Sequence, residues 1–452
     1  MNSVEWRVTA SLAAIYAVRM LGLFMILPVF ALYAETLPDS TPFLAGLAIG
    51  IYGLSQAIFQ IPLGILSDKV GRKPVIIGGL LVFALGSVVA ALSQSMWMIV
   101  VGRMIQGMGA VAAPTMALAA DLIREENRIR TMGVIGLSIG VSFMLGMIIG
   151  PLVSQVGGVP SIFWLTMVLA LSGIALVVFA VPTPARTLQH RDAGIIKGYV
   201  GTALGNGALL RMNVGVFILH LVMTANFLVL PTIFEHQLGL PNAEHWKVYL
   251  PVFIGSFALS IPLIILAEKQ RKIRPLLLGC TVALIVAELV MAAGYTHIGW
   301  LMAAFLLFFI GFNFLEAVQP SLVAKYSAVN TKGTAMGIFS SSQFLGIFAG
   351  GSLGGVINHT WGVTGVFLFS AAITALWFMV ALRLPQPTFY TSRILKLDPL
   401  LFSDPQRLHD ALLAISGVKE VAIATDECIA YLKIDKTTLD EAALDAFSPP
   451  SA

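Results

Sequence analysis

Asp68, Lys69, Arg72 and Lys73 crowd the stretch GILSDKVGRKP, residues 64–74, which joins two long apolar runs. A helix ends near Ser67 and the next opens at Pro74, so the four charges lie in the connection. Gly64 lies one turn before Asp68, on the same face, and lets a second helix approach. Gly71 gives the turn its permissive backbone, and Pro74 suits the start of the next helix. A carboxylate at a helix C-terminus faces the unfavourable end of the dipole. Asp68 therefore needs a partner: a basic side chain, or the N-terminus of a helix opening near Gly333. Asp121, at the end of another apolar run, is a further partner for Arg72. The alternative use of such a basic loop is as a plain topological anchor.

A second set of charges lies inside the apolar runs themselves. Arg19, Arg103, His220 and Glu316, with Asn313 one turn from Glu316, each sit where a charge costs about 2.5–3.5 kcal/mol on insertion scales, so a functional role is the default expectation. At 1.5 Å per residue, Glu316 falls roughly 24 Å from the outer end of its run and His220 roughly 12–14 Å from the inner end of its own. An acid and an imidazole at that depth, facing a space that alternately wets and dries, can bind and release a proton. Arg19 and Arg103 would hold an anionic group or counter the acid. Glu288 reads as a structural or interfacial acid. Gln56, Gln60, Asn226, Gln319 and Gln343 read as ligand contacts or as interhelical hydrogen bonds. No Ser-His-Asp spacing, phosphate loop or metal-ligand cluster is visible, so neither an enzyme nor a cofactor or metal site is expected. Cys280 and Cys428 alone make no disulfide framework.

The elements that must position these groups follow from composition. Of 452 residues, 58% are hydrophobic and 11% charged, against roughly 25% charged in a soluble domain. The solvent for most of this surface is a lipid bilayer. Runs of about 20 apolar residues cross it as helices. Twelve are predicted: 8–34, 43–67, 74–93, 97–121, 131–153, 160–181, 212–237, 247–267, 275–295, 300–324, 333–357 and 362–384. Prolines and glycines inside them are read as kinks and close contacts. Lys and Arg concentrate in alternate loops, and the opposite loops hold only Lys247, which places the basic loops and both termini in the cytoplasm.

The chain is also written twice. Ile61-Pro62-Leu63 with Asp68-Lys69 recurs as Ile261-Pro262-Leu263 with Glu268-Lys269. Met132-Gly133, Gly146 and Gly150 recur as Met336-Gly337, Gly350 and Gly354. Phe24 with Leu27-Pro28 recurs as Phe227 with Leu230-Pro231. Nearly constant offsets imply two parallel six-helix halves related by an axis along the membrane normal, with a site between them near the midplane. The predicted units are residues 1–182, a cytoplasmic linker at 183–211, a second bundle at 212–384 and a polar tail at 385–452. In the tail, a strand at 393–397, a helix opened by Asp404-Pro405, a hairpin around Thr425-Asp426-Glu427 and a helix at 439–447 give the order βαββα. That order suggests a small ferredoxin-like α/β domain. It lacks a Cys-x-x-Cys, and no aromatic-basic pattern points to nucleic acid.

Gly64-x-x-x-Asp68-Lys69-x-Gly71-Arg72-Lys73 resembles the signature loop of the major facilitator superfamily. Arg103-x-x-Gln106-Gly107-x-Gly109 resembles a second motif of that family, and Gly146-x-x-x-Gly150-Pro151 the proline-bearing helix motif of its antiporters. Arg19 stands where many proton-driven exporters carry an acid. The resemblance implies an all-α polytopic fold of twelve spans. It implies that Asp68, Arg72 and Asp121 latch the cytoplasmic ends of the halves, and that Arg19, Arg103, His220 and Glu316 lie on cavity-lining helices. The expected function is secondary active transport of a small molecule across a bacterial inner membrane, as proton-coupled export by a single chain. Proton-coupled uptake of a metabolite and a non-transporting sensor are the alternatives.

Overall fold

The computed structural model describes residues 1–183, 197–328, 331–397, 404–424, 429–435 and 437–447. The centre of the predicted linker, the turn Thr425-Asp426-Glu427 and Cys428 lie outside the described residues. Apolar composition produces helix nearly throughout: α1 (Ser3–Phe24), α2 (Phe30–Glu35), α3 (Pro42–Val70), α4 (Arg72–Ala91), α5 (Met96–Met108), α6 (Ala112–Leu122), α7 (Glu125–Phe179), α8 (Lys197–Gly205), α9 (Gly207–Thr232), α10 (Trp246–Lys269), α11 (Ile273–Gly294), α12 (Ile298–Tyr326) and α13 (Lys332–Ala381). A π-helical turn, Ile233–Gln237, extends α9. Thr41 caps α3 with its side chain on the Leu44 amide, and Asn206 caps α9 on two amides.

The predicted count of twelve separate spans is not what the helices show. Among the described residues ten helices are long and apolar enough to cross a membrane. The runs 131–153 and 160–181 join as α7, and 333–357 and 362–384 join as α13. Each contains non-helical glycine: Gly157 and Gly158 at the predicted loop in α7, and Gly362, the first residue of the predicted run 362–384, in α13. Two further runs expected to be continuous are interrupted. The first breaks at 25–29, where Pro28 has no amide hydrogen and short i→i+3 bonds replace the helical ladder, as from the Leu27 amide to the Phe24 carbonyl. The fourth breaks at Gly109, whose ψ is +44°.

Each half packs alike. Gly146 and Gly150 of α7 lie against Phe24 and Met25 of α1, with Pro151 next in the chain; Gly350 and Gly354 of α13 lie against Leu221 and Ala225 of α9. A Cβ at any of these glycines would press on the facing helix, so the same close approach is built at both copies of the repeat.

Behind α13 the chain forms β1 (Thr391–Lys396), α14 (Pro405–Leu413), β2 (Val418–Ala424), β3 (Ile429–Ile434) and α15 (Glu441–Asp445). The strands make one antiparallel sheet in the order β1-β3-β2. Leu395, Leu408, Leu412, Leu432, Ile434 and Leu444 fill the core between sheet and helices. On the other face Tyr431 is buried and the Lys433 ammonium donates to the Ser327 carbonyl at 2.6 Å, so this face meets the end of α12. Asp435 accepts from the Thr437 hydroxyl (2.6 Å) and amide (3.0 Å). Those bonds, with Lys419 and Arg271 nearby, hold its carboxyl below the usual range.

Candidate functional site

The loop that opened the analysis is a compact charge cluster. Gly71, at φ +102°, ends α3 and starts α4, a conformation that favours glycine. It brings Arg72 back onto α3, where it pairs with Asp68 and donates to the Ser67 hydroxyl at 2.8 Å. Its Nε donates to Asp121 at the end of α6, at 3.1 Å. Arg72 is buried, and Ala113 of α6 packs on Gly64. The Lys73 ammonium donates to the Val181 carbonyl at 2.8 Å, tying the loop to the end of α7. All these contacts lie within the first half. At the repeated position Glu268 pairs instead with Lys325 of α12, at 2.8 Å.

The halves meet at the end opposite the basic loops. There α3 and α13 are in backbone contact: Gly46 faces Gly351, Gly50 faces Phe348, Gly53 faces Phe344, and Gly355 faces Pro42. The Glu35 carboxylate of α2 meets the His236 ring of the π turn at 2.9 Å, and the Gln155 amide donates to the Ala243 carbonyl at 3.3 Å. Phe143 of α7 contacts Phe227, Phe253 and Phe309 of the second half.

Two polar layers flank this seam. In the first half Arg19, 1% exposed, donates to the Tyr52 hydroxyl at 2.7 Å and to the Gln56 side-chain carbonyl. The guanidinium of Arg103 lies 5.0 Å above the Tyr52 ring, and it donates to Gln106 (2.8 Å) and to the Ala48 carbonyl (3.3 Å). Arg19 Nε and Nη1 and Arg103 Nη2 are buried without hydrogen-bond acceptors. Tyr52 thus organises both arginines, a role the sequence reading missed.

In the second half three helices converge. His220 of α9 is buried, and its Nδ1 lies 3.1 Å from the Val216 carbonyl. That carbonyl only accepts, which assigns the proton of a neutral ring to Nδ1 and leaves Nε2 as the acceptor. The Gln343 amide of α13 lies 2.8 Å from Nε2 and donates at 3.2 Å to Glu316 Oε1 of α12. Glu316 Oε2 is 3.6 Å from the same His220 nitrogen, and the Glu316 side chain is 40% exposed. Gln343 was read only as a generic hydrogen bonder; its place between the two titratable groups was not foreseen. Asn313 bonds instead to Ser256 of α10, at 3.1 Å. Gln343 precedes Phe344, whose carbonyl faces Gly53, so the His–Gln–Glu group sits next to the seam on the same helix. Among the described residues no cluster of three His, Cys, Asp or Glu suits a metal.

Comparison with known proteins supplies the frame for this geometry. The model of the Major Facilitator Superfamily matches residues 12–351 and 212–419. The chain is 44% identical over 435 residues to the inner membrane transport protein YajR of Escherichia coli, covering 96% of this chain and 95% of that one. It is 37% identical over 380 residues to an uncharacterized transporter of Buchnera aphidicola subsp. Schizaphis graminum, covering 84% and 97%. Among solved structures it resembles a bacterial homolog of the human lysosomal transporter Spinster in an inward-facing, occupied conformation. The TM-score there is 0.68 at 13% identity, covering 85% of this chain and 98% of that one.

Proposed function

Because the chain belongs to the Major Facilitator Superfamily of membrane transporters, we propose that it moves a small molecule by alternating access coupled to protons, in the direction of export. The observation that carries this reading is Gln343. Its amide joins His220 to Glu316, and the next residue on α13 packs against α3 at the junction of the halves. A proton taken up by Glu316 removes the acceptor charge opposite Gln343. Protonation of His220 at Nε2 turns that acceptor into a donor, which Gln343 in its present orientation cannot satisfy. Protonation of Glu316 weakens its hydrogen bond from Gln343, protonation of His220 forces Gln343 to turn, and α13 carries the change toward the seam.

In this reading α7 and α13 each cross twice, with Gly157-Gly158 and Gly362 as hinges, making twelve crossings in two six-helix halves. The basic loops, both termini and the α/β tail face the cytoplasm of a bacterial cell whose inner membrane holds the protein. The glycine seam then closes the outer side, and the half-exposed Glu316 faces inward. Arg19 and Arg103, with unpaired guanidinium nitrogens, anchor an anionic group of the substrate on the other side of the cavity. The transport unit is one chain.

Purified protein in proteoliposomes tests this, with a panel of amphipathic compounds with and without a carboxylate screened first by thermal stabilisation. For a compound that stabilises, Glu316→Gln should lose transport driven by a pH gradient but keep exchange of labelled for unlabelled compound. Full gradient-driven transport in Glu316→Gln would remove this residue from coupling.

A further inference from the structure

Glu288 of α11 lies outside the site described above and is completely buried. Its Oε1 accepts from the Asn226 amide of α9 at 2.6 Å. Two atoms of this pair are left over, Glu288 Oε2 and Asn226 Oδ1, both buried without a hydrogen-bond partner. An ionised carboxylate and an amide carbonyl are acceptors only, so in that state neither leftover atom can satisfy the other. An unpaired ion at a dry site is among the most costly groups a protein can bury. A single proton on Oε2 removes the charge and supplies a donor where an acceptor is missing. Acid and amide then close a ring of two hydrogen bonds, N–H to Oε1 and O–H to Oδ1.

We propose that Glu288 holds a proton in this state and that the Glu288–Asn226 ring is a second proton-binding site, distinct from His220–Gln343–Glu316. The ring bolts α11 to α9, the helix that carries His220. Among the described residues no basic group on the helices packed around it pairs with Glu288. On α9 the titratable side chains are Arg211 at the basic end and His220, engaged with Val216 and Gln343. On α10 they are Tyr249 and Lys247, the latter paired with Glu244, with Glu268 and Lys269 at the basic end. On α12 they are Glu316 and, at the basic end, Lys325 and Tyr326, and on α13 Lys332 and His359 lie toward the two ends of its first limb. Among the described residues Asn226 is the one polar partner of Glu288, so the proton is retained by the ring and not by a salt bridge.

Infrared spectroscopy of the full-length protein reads this proton directly. At neutral pH the wild type should show the carbonyl stretch of a protonated carboxyl that shifts in deuterium oxide. The band should vanish in Glu288→Gln and persist in Glu316→Gln. Glu288→Gln replaces O–H by N–H and keeps both hydrogen bonds, so its thermal midpoint near neutrality should stay close to that of the wild type. In Asn226→Leu the same band should move to higher frequency as the carboxyl loses its partner, which keeps the test available should Glu288→Gln not fold. Spectra of wild type and Glu288→Gln that coincide in the protonated-carboxyl region, or an unshifted band in Asn226→Leu, would overturn the assignment.

Discussion

Gly351→Ala probes the seam on which the proposed alternating access turns. A Cβ built at Gly351 would press on the Gly46 carbonyl oxygen and lie 2.9 Å from Gly50 N and 3.1 Å from Gly50 Cα. All three obstacles are backbone, so no rotamer change relieves them and α3 must retreat from α13. Small residues are what let helices approach this closely within a membrane. Overpacking of a tight contact costs about 1–3 kcal/mol. The greater helix propensity of alanine, about 1 kcal/mol over glycine, cancels because Gly351 is helical in both conformations. The closed seam exists in one conformation only, so the whole packing cost falls on that state. A difference of 1–3 kcal/mol shifts the conformational ratio by about 5–150-fold toward the state open at the Gly46–Gly351 end. The measurement is the distance distribution between spin labels placed near Thr36 and Gly239, in detergent and in lipid nanodiscs. Gly350→Ala is the control, since a Cβ there meets Leu221 of α9 within the same half. It should lower thermal stability without moving the distribution. If Gly351→Ala leaves the distribution unchanged, or if both variants move it alike, the seam is not the hinge contact inferred here.

Asp68→Asn, Arg72→Ala and Asp121→Asn should each slow transport at unchanged membrane insertion, and crosslinks reporting closure of the basic end should become rarer; normal flux and unchanged crosslinking in all three would sink the latch. Truncation after Arg383 removes no predicted span, so the helical body should still insert and bind ligand, whereas complete loss of binding in a folded truncation would make the tail part of the site. Lys433→Ala should loosen the tail from the end of α12 at Ser327, read as faster amide exchange across 324–328 with the sheet core unchanged.

The sequence carries the periodic and compositional parts of this structure well. Apolar runs, the basic loop at 64–74 and the order of tail elements all depend on neighbours in the chain, where patterns are local. The pairing of Arg72 with Asp121 was foreseeable because Arg72 lies at the start of one apolar run and Asp121 at the end of another, both at the same end of the bundle. What the sequence hid depends on helix rotation. Tyr52 in an apolar run reads as core packing, yet it carries Arg19 on its hydroxyl and Arg103 over its ring. Gln343 is one of several buried amides, and only the convergence of α9, α12 and α13 singles it out. Asn226, read in sequence as a ligand contact or an interhelical hydrogen bond, makes the latter, to Glu288. The seam did leave a trace: Gly46, Gly50 and Gly53 follow small-residue spacing, and Gly351 and Gly355 answer on the partner helix. Breaks at 25–29 and Gly109 escaped because an apolar run does not reveal where tertiary contact replaces the helical ladder.

The two buried arginines lie on one side of the seam and Glu316 on the other. With the far end shut, a transmembrane voltage falls mainly across the short closed segment and not across the whole thickness of the bilayer. Arg19, Arg103 and Glu316 then share the potential of the open side, and rocking hands all three to the other. The layer carries a net charge of +1 with Glu316 ionised and +2 with it protonated, by the formal charges of these residues. Each charge carried through the full drop is worth about 2.3 kcal/mol per 100 mV. A membrane negative on the basic-loop side therefore favours the conformation described here, and more strongly with the proton bound. On the proposed mechanism these charges add a dependence on membrane voltage to the dependence on protons.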